Sequence, residues 1–234
     1  MTLIRSSRKQ RGAEMKPWWN DLSPYQKLWV IGSTLAVGIL GAVSGDSGIN
    51  ILIGVVGMFY VAVYATAVRG AFLLGVVYVS LYTIICLKNR IMLDAVQNIV
   101  LIPMYIYSFI HWGKNKIKPY NVSKKQTTII LLSAVLVFFA LFGLSRLLHG
   151  NYSWLDALNT TCTLYAMVLG IYGASICWLL WTVNNAVSAL TFGLCLATPT
   201  GSVAVFAMKC IFLINGLIGW YNFNKIGKEK ANDD

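Results

Sequence analysis

At 234 residues the chain is long enough for one or two soluble domains, yet 57% hydrophobic residues against 12% charged, with a mean hydropathy of +0.66, exclude an ordinary soluble protein. A net charge of +11 would suit a nucleic-acid partner, but Lys and Arg fall in the connections between apolar runs, where they serve membrane topology, and no nucleic acid is expected. Apolar runs of about 18 residues or more recur, the length a bilayer-spanning helix needs, and the ~10-residue alternation of a β-barrel is absent.

Residues 1–25 read as a cytoplasmic basic leader in which Trp18, Trp19 and Tyr25 anchor an interfacial helix in the headgroup layer. The first apolar run starts only near Leu28 with no small-residue cleavage site, so the mature chain is expected to keep this leader. Spans are predicted at 26–44, 49–67, 71–87, 92–112, 127–147, 154–171, 174–197 and 203–224. In the sixth, Asp156, Asn159, Thr160, Thr161 and Thr163 would be costly against lipid, so that side is expected to face protein or a water-filled cavity. Residues 226–234 form a cytoplasmic tail. With the amino terminus inside, fifteen Lys and Arg lie on the inner side, against Lys88, Arg90 and Arg146 outside, which predicts both termini cytoplasmic. Cys86, Cys162, Cys177, Cys195 and Cys210 all lie in apolar segments without metal-type spacing and read as small core residues.

Two stretches of three spans end alike. Residues 49–115 close on Ser108-Phe109-Ile110-His111-Trp112-Gly113-Lys114, and residues 154–225 on Gly219-Trp220-Tyr221-Asn222-Phe223-Asn224-Lys225. Three is odd, so a single span at 127–147 is what brings the second unit parallel to the first, a repeat geometry of transporters with substrate held near the midplane. The expected class is therefore an all-α integral membrane protein of about eight transmembrane helices. The span at 26–44 is an extra N-terminal helix, outside a three-plus-one-plus-three core and free to pack against a second copy.

Polar residues inside these spans mark the candidate site. Asp94, Gln97 and Asn98 share one face of the fourth span; Asp94 reads equally as an interfacial cap, and the amides either tie helices together or meet a polar ligand, the reading favoured for Gln97. Trp178, Trp181 and Asn185 fall at i, i+3 and i+7 of the seventh span, with Asn184 beside them. Two indoles on one face next to adjacent amides suit a flat heteroaromatic ring joined to a sugar, and a cationic ring would gain from the indole faces. In the last span Asn215 is placed to reach a cavity, while Lys209 either pairs with Asp94 or Asp156, snorkels to the surface, or serves a charge or gating role. His111 and His149 stand in no catalytic arrangement, and no nucleophile elbow, zinc motif or phosphate loop is present, so no enzyme activity is expected.

Three motifs carry a family resemblance: Asp94-Ala95-Val96-Gln97 leading to Tyr107 and Trp112; Trp178-x-x-Trp181-x-x-Asn184, with Asn184 at the place of a third tryptophan; and Phe212-Leu213-Ile214-Asn215-Gly216 running to Trp220-Tyr221. Over residues 49–225 the chain resembles the PnuC family, the bacterial nicotinamide riboside (vitamin B3) transporters, similar in fold to SWEET sugar transporters. The resemblance implies an inner-membrane facilitator of nicotinamide riboside, with no cofactor and with a cytoplasmic riboside kinase trapping the substrate. It further implies that Trp178 and Trp181 line the ring and ribose site and that Gln97, Asn98, Asn184, Asn185 and Asn215 bond to the substrate's hydroxyls or carboxamide. The alternatives are a related carrier of thiamine, riboflavin or a deoxynucleoside, and a membrane receptor or structural subunit.

Overall fold

The computed structural model describes residues 24–64, 70–114 and 120–233. Trp18, Trp19 and the rest of the basic leader lie outside the described residues, and Tyr25 stands exposed at the start of the first helix. Eight helices follow in order: α1 (Pro24–Val43), α2 (Gly48–Tyr64), α3 (Ala71–Lys88), α4 (Met92–Lys114), α5 (Lys124–Leu147), α6 (Ser153–Ile171), α7 (Cys177–Cys195) and α8 (Val203–Asp233). Five of them are long and apolar enough to cross a bilayer. The 17-residue α2 is apolar but shorter, and α6 and α7 carry the polar residues that sequence reading sends inward.

Helix packing follows a closed circuit. α2 packs on α3, α3 on α4, α4 on α6, α6 on α7, α7 on α8, and α8 returns to α2, so six helices make a ring. α1 lies outside it over α2 and α8, and α5 lies outside over α6 with a lesser contact to α4. The ring is tightest where side chains are smallest: a Cβ on Gly54 would meet Val37 and Ala204, and one on Gly57 would strike Met208 and Tyr78. Without a hydrophobic drive between helices in lipid, such small-residue seams let backbones close to packing distance. The outer helices keep apolar faces toward the bilayer, with Leu28, Leu35 and Ile39 exposed on α1 and Leu132, Leu136 and Phe139 on α5.

At one end of the ring, the seam of α4 with α6 and the seam of α8 with α2 are each tied by a carboxylate on a helix N-terminus. Asp156 of α6 accepts from the backbone N–H groups of Leu93 and Asp94 at 2.9 and 3.0 Å, and from Ser145 Oγ at 3.4 Å. Asp46, in the turn before α2, accepts from Val203 N, Ala204 N and Ser202 Oγ at 3.2, 2.7 and 2.8 Å. A helix N-terminus presents unpaired donors and partial positive charge, so a carboxylate there satisfies both at once. The costly Asp156 therefore faces protein, buried at 1% exposure.

Candidate functional site

The ring surrounds a cavity lined from α2, α3, α4, α6, α7 and α8. Its walls differ along the axis. Trp178 and Trp181 sit near the start of α7, where the closeness of Gly219 to the Trp178 ring and of Gly216 to Thr182 gives the indoles their room against α8. Tyr64 tilts against Trp178 with centroids 5.6 Å apart.

Five tyrosines of the wall escape the sequence reading: Tyr60, Tyr64, Tyr78, Tyr82 and Tyr105. Tyr60 stacks on Tyr78 at 5.5 Å and Tyr78 on Tyr82 at 5.3 Å, and the Tyr60 hydroxyl donates to that of Tyr105 at 2.9 Å. The signal was available, since Tyr60 and Tyr64 on α2 and Tyr78 and Tyr82 on α3 are each spaced i, i+4, which puts both pairs on one face.

Amides from α4, α6 and α7 complete the wall. Asn159 of α6 is their hub: its Nδ2 donates to Asp94 Oδ1 at 2.6 Å, and its Oδ1 accepts from Asn184 Nδ2 and from Ser188 Oγ, each at 2.7 Å. Asn184 Nδ2 also donates to Thr163 Oγ1 at 2.6 Å, and Asn185 Nδ2 to the Phe212 carbonyl at 3.1 Å. The NH₂ groups of both α7 asparagines are thus engaged with protein. Asn98 Nδ2 lies 3.8 Å from Cys86 Sγ. Gln97 Oε1 is different, for it is buried without a hydrogen-bond partner among the described residues. A buried acceptor left unpaired is costly, and at a cavity wall it invites a donor on a ligand.

Of the residues singled out from sequence, Gln97, Asn98, Trp178, Trp181, Asn184, Asn185 and Lys209 meet in this wall. Asp94 stands behind it, bonded to Asn159. Asn215 is not among the wall residues: its Oδ1 accepts from Trp29 Nε1 at 3.2 Å and its Nδ2 donates to the Val61 carbonyl at 2.9 Å, so both ends of the amide tie α8 to α1 and α2. Lys209 Nζ reaches Tyr78 OH at 3.4 Å and sits over the Tyr82 ring at 4.1 Å.

Comparison with known proteins gives three concordant results. The family model described as "Nicotinamide mononucleotide transporter" matches residues 47–225. The "Nicotinamide riboside transporter PnuC" of Haemophilus influenzae is 23% identical over 217 residues, 88% of this chain and 92% of that relative. A structure titled "Crystal structure of the Vitamin B3 transporter PnuC" superposes with a TM-score of 0.79 at 19% identity, covering 91% of this chain and 97% of that one. The matched stretch contains every residue of the cavity wall, and the chain belongs to the nicotinamide mononucleotide transporter family, the PnuC transporters, as a multi-pass membrane transporter and not an enzyme.

Proposed function

We propose that the chain takes up nicotinamide riboside, or a riboside of the same shape, by facilitated diffusion across a bacterial inner membrane, with both termini in the cytoplasm and phosphorylation inside trapping the substrate. The carrying observation is one cavity that holds an indole pair at one end and, beside it, an amide belt in which Gln97 Oε1 still lacks a donor. A flat ring stacks on the indoles; ribose hydroxyls supply the missing donors and accept from what the belt leaves over. Trp178, Trp181, Gln97, Asn98 and Asn185 are the residues assigned to contact, with Asn184 holding the belt in register through Asn159 and Thr163. The two ring halves, α2 to α4 and α6 to α8, are the units that would rock about the site.

Nicotinamide riboside is expected to raise the thermal unfolding midpoint of the purified protein, because a ligand bound to the folded state alone stabilises it by mass action. Trp181→Ala is expected to abolish that rise, and Gly219→Val to do the same by driving a side chain into the Trp178 ring. Uptake in proteoliposomes should follow the substrate gradient and ignore an imposed pH gradient; accumulation that tracks pH would refute facilitated diffusion.

A further inference from the structure

Asn215 joins three helices at one level of the bundle. Its Oδ1 accepts from Trp29 Nε1 of α1 at 3.2 Å, and its Nδ2 donates to the Val61 carbonyl of α2 at 2.9 Å. The residue is 1% exposed, so water offers its amide no replacement partner. An amide presents an acceptor at one end and donors at the other, whereas an indole N–H is a donor alone. Turned over, Asn215 would set its NH₂ against the indole N–H and its oxygen against the Val61 carbonyl. Trp29 therefore fixes the direction in which Asn215 donates.

That direction leads to the substrate cavity. Val61 stands in the last turn of α2, where carbonyls run out of donors within the helix, and the same turn gives Tyr60, Val61 and Tyr64 to the cavity wall. Tyr64 in turn tilts against Trp178. One residue beyond Asn215, Gly216 lies in the wall against Thr182 of α7. The bond from Asn215 to Val61 also crosses from the triplet α6 to α8 to the triplet α2 to α4, so it sets the two halves against each other beside the indoles.

We propose that Trp29 is a positioning residue of the riboside site: through Asn215 it holds the last turn of α2, and with it Tyr64 against Trp178, in the arrangement that receives the ring. Resting on the riboside reading above, this brings α1, which lies outside the ring of helices, into the working parts of the carrier. Trp29 is not among the described wall residues, so it acts on the fraction of empty protein that is ready to bind. The apparent dissociation constant scales inversely with that fraction, and a hydrogen bond of ordinary strength shifts it by about fivefold. Once substrate is bound, its own contacts restore the arrangement, and the saturated carrier is little affected.

Trp29→Phe removes the indole N–H and keeps an aromatic ring. Binding of nicotinamide riboside to the purified full chain is measured by titration calorimetry, and counterflow in proteoliposomes gives half-saturation and maximal rate. Trp29→Phe is expected to raise the dissociation constant and the half-saturation concentration about fivefold while the maximal rate stays within about twofold. Partial misfolding lowers the number of binding sites and not their affinity, so the two readouts separate. Asn215→Leu should weaken binding at least as much, and adding Trp29→Phe to it should change nothing further, because Trp29 acts through the amide. Ser33→Ala removes a bond inside α1, from Ser33 Oγ to the Trp29 carbonyl at 2.5 Å, and should leave affinity as it is. The proposal is overturned if Trp29→Phe lowers the unfolding midpoint yet leaves affinity unchanged, if its effect persists in full on top of Asn215→Leu, or if Ser33→Ala weakens binding equally. Failure of the riboside reading looks different, with the wild type itself binding no riboside.

Discussion

Asn159→Leu is expected to lower stability by about 4 kcal/mol, because it breaks three buried hydrogen bonds at once and orphans two of the partners, one of them a carboxylate oxygen, and each unsatisfied buried group costs roughly 1–3 kcal/mol, more when charged. Asp94 Oδ1 loses its donor at 2.6 Å, and Asn184 and Ser188 lose the oxygen to which both donate at 2.7 Å. Leucine nearly matches asparagine in size but returns none of those bonds, so the change isolates hydrogen bonding from packing. For a chain of this length the midpoint of thermal unfolding should fall by roughly 10 °C, at about 2–4 °C per kcal/mol. The four buried free cysteines, Cys86, Cys162, Cys177 and Cys195, supply the probe, since a thiol-reactive dye reports their exposure on heating. A shift corresponding to less than about 1 kcal/mol would mean that the amide belt is not the brace between α4, α6 and α7 that its geometry describes. Thr163→Val removes only one acceptor of Asn184 and should cost about 1 kcal/mol, which sets the lower end of the scale.

That brace shows where sequence reading stops. The eight helices follow from the recurrence of apolar runs, and their ends deviate for local reasons that hydropathy does not see. α5 begins at Lys124 and not at 127 because Ser123 and Gln126 cap each other: the Gln126 N–H donates to Ser123 Oγ, and Gln126 Oε1 accepts from Ser123 N. This capping box is legible as Ser-x-x-Gln, but a window of apolar residues starts after it. α7 begins at Cys177 and not at 174 because Gly173 takes a φ of +80° and the turn after it is pinned by Tyr120, which exchanges backbone hydrogen bonds with Gly173 and Ser175. α8 continues to Asp233, beyond the apolar run, since a helix ends where its backbone bonding ends and not at the membrane surface.

For the site, spacing on α7 was sufficient to place Trp178, Trp181 and Asn185 on one face, and the cost of polar groups in lipid sent the α6 residues inward. Spacing could not say which polar group meets which. Asn215 illustrates the limit, because its partner Trp29 lies 186 residues away on a helix outside the ring. An amide in a span is equally suited to ligand and to scaffold until its neighbours are known. The tyrosines are hard to read for another reason: in membrane sequences a tyrosine reads as an interfacial or apolar ring, and the pairing of Tyr60 with Tyr78 and Tyr105 across three helices is what makes them a wall.

Asp156→Ala is expected to cost about 3 kcal/mol, since two helix N-terminal donors and a serine hydroxyl lose their acceptor in a buried site, and a lost cap alone is worth roughly 1–2 kcal/mol. Asp156→Asn keeps one acceptor but turns an NH₂ toward the remaining donor, so its loss should fall between. Asp46→Ala, made at a half-buried site where water can replace the carboxylate, should cost about 1 kcal/mol. The informative measurement is the double variant, read by thermal unfolding and by uptake. Asp156 ties α6 to the start of α4, and Asp46 ties the turn before α2 to the start of α8, so the two caps sit on separate seams and share no partner. Losses at separate, independent sites add within about 0.5 kcal/mol. Additivity in stability would therefore mean that each seam holds on its own. If uptake responds to the double change by more than the product of the single effects while stability remains additive, the coupling belongs to the transport step, and the two seams open together when the substrate crosses.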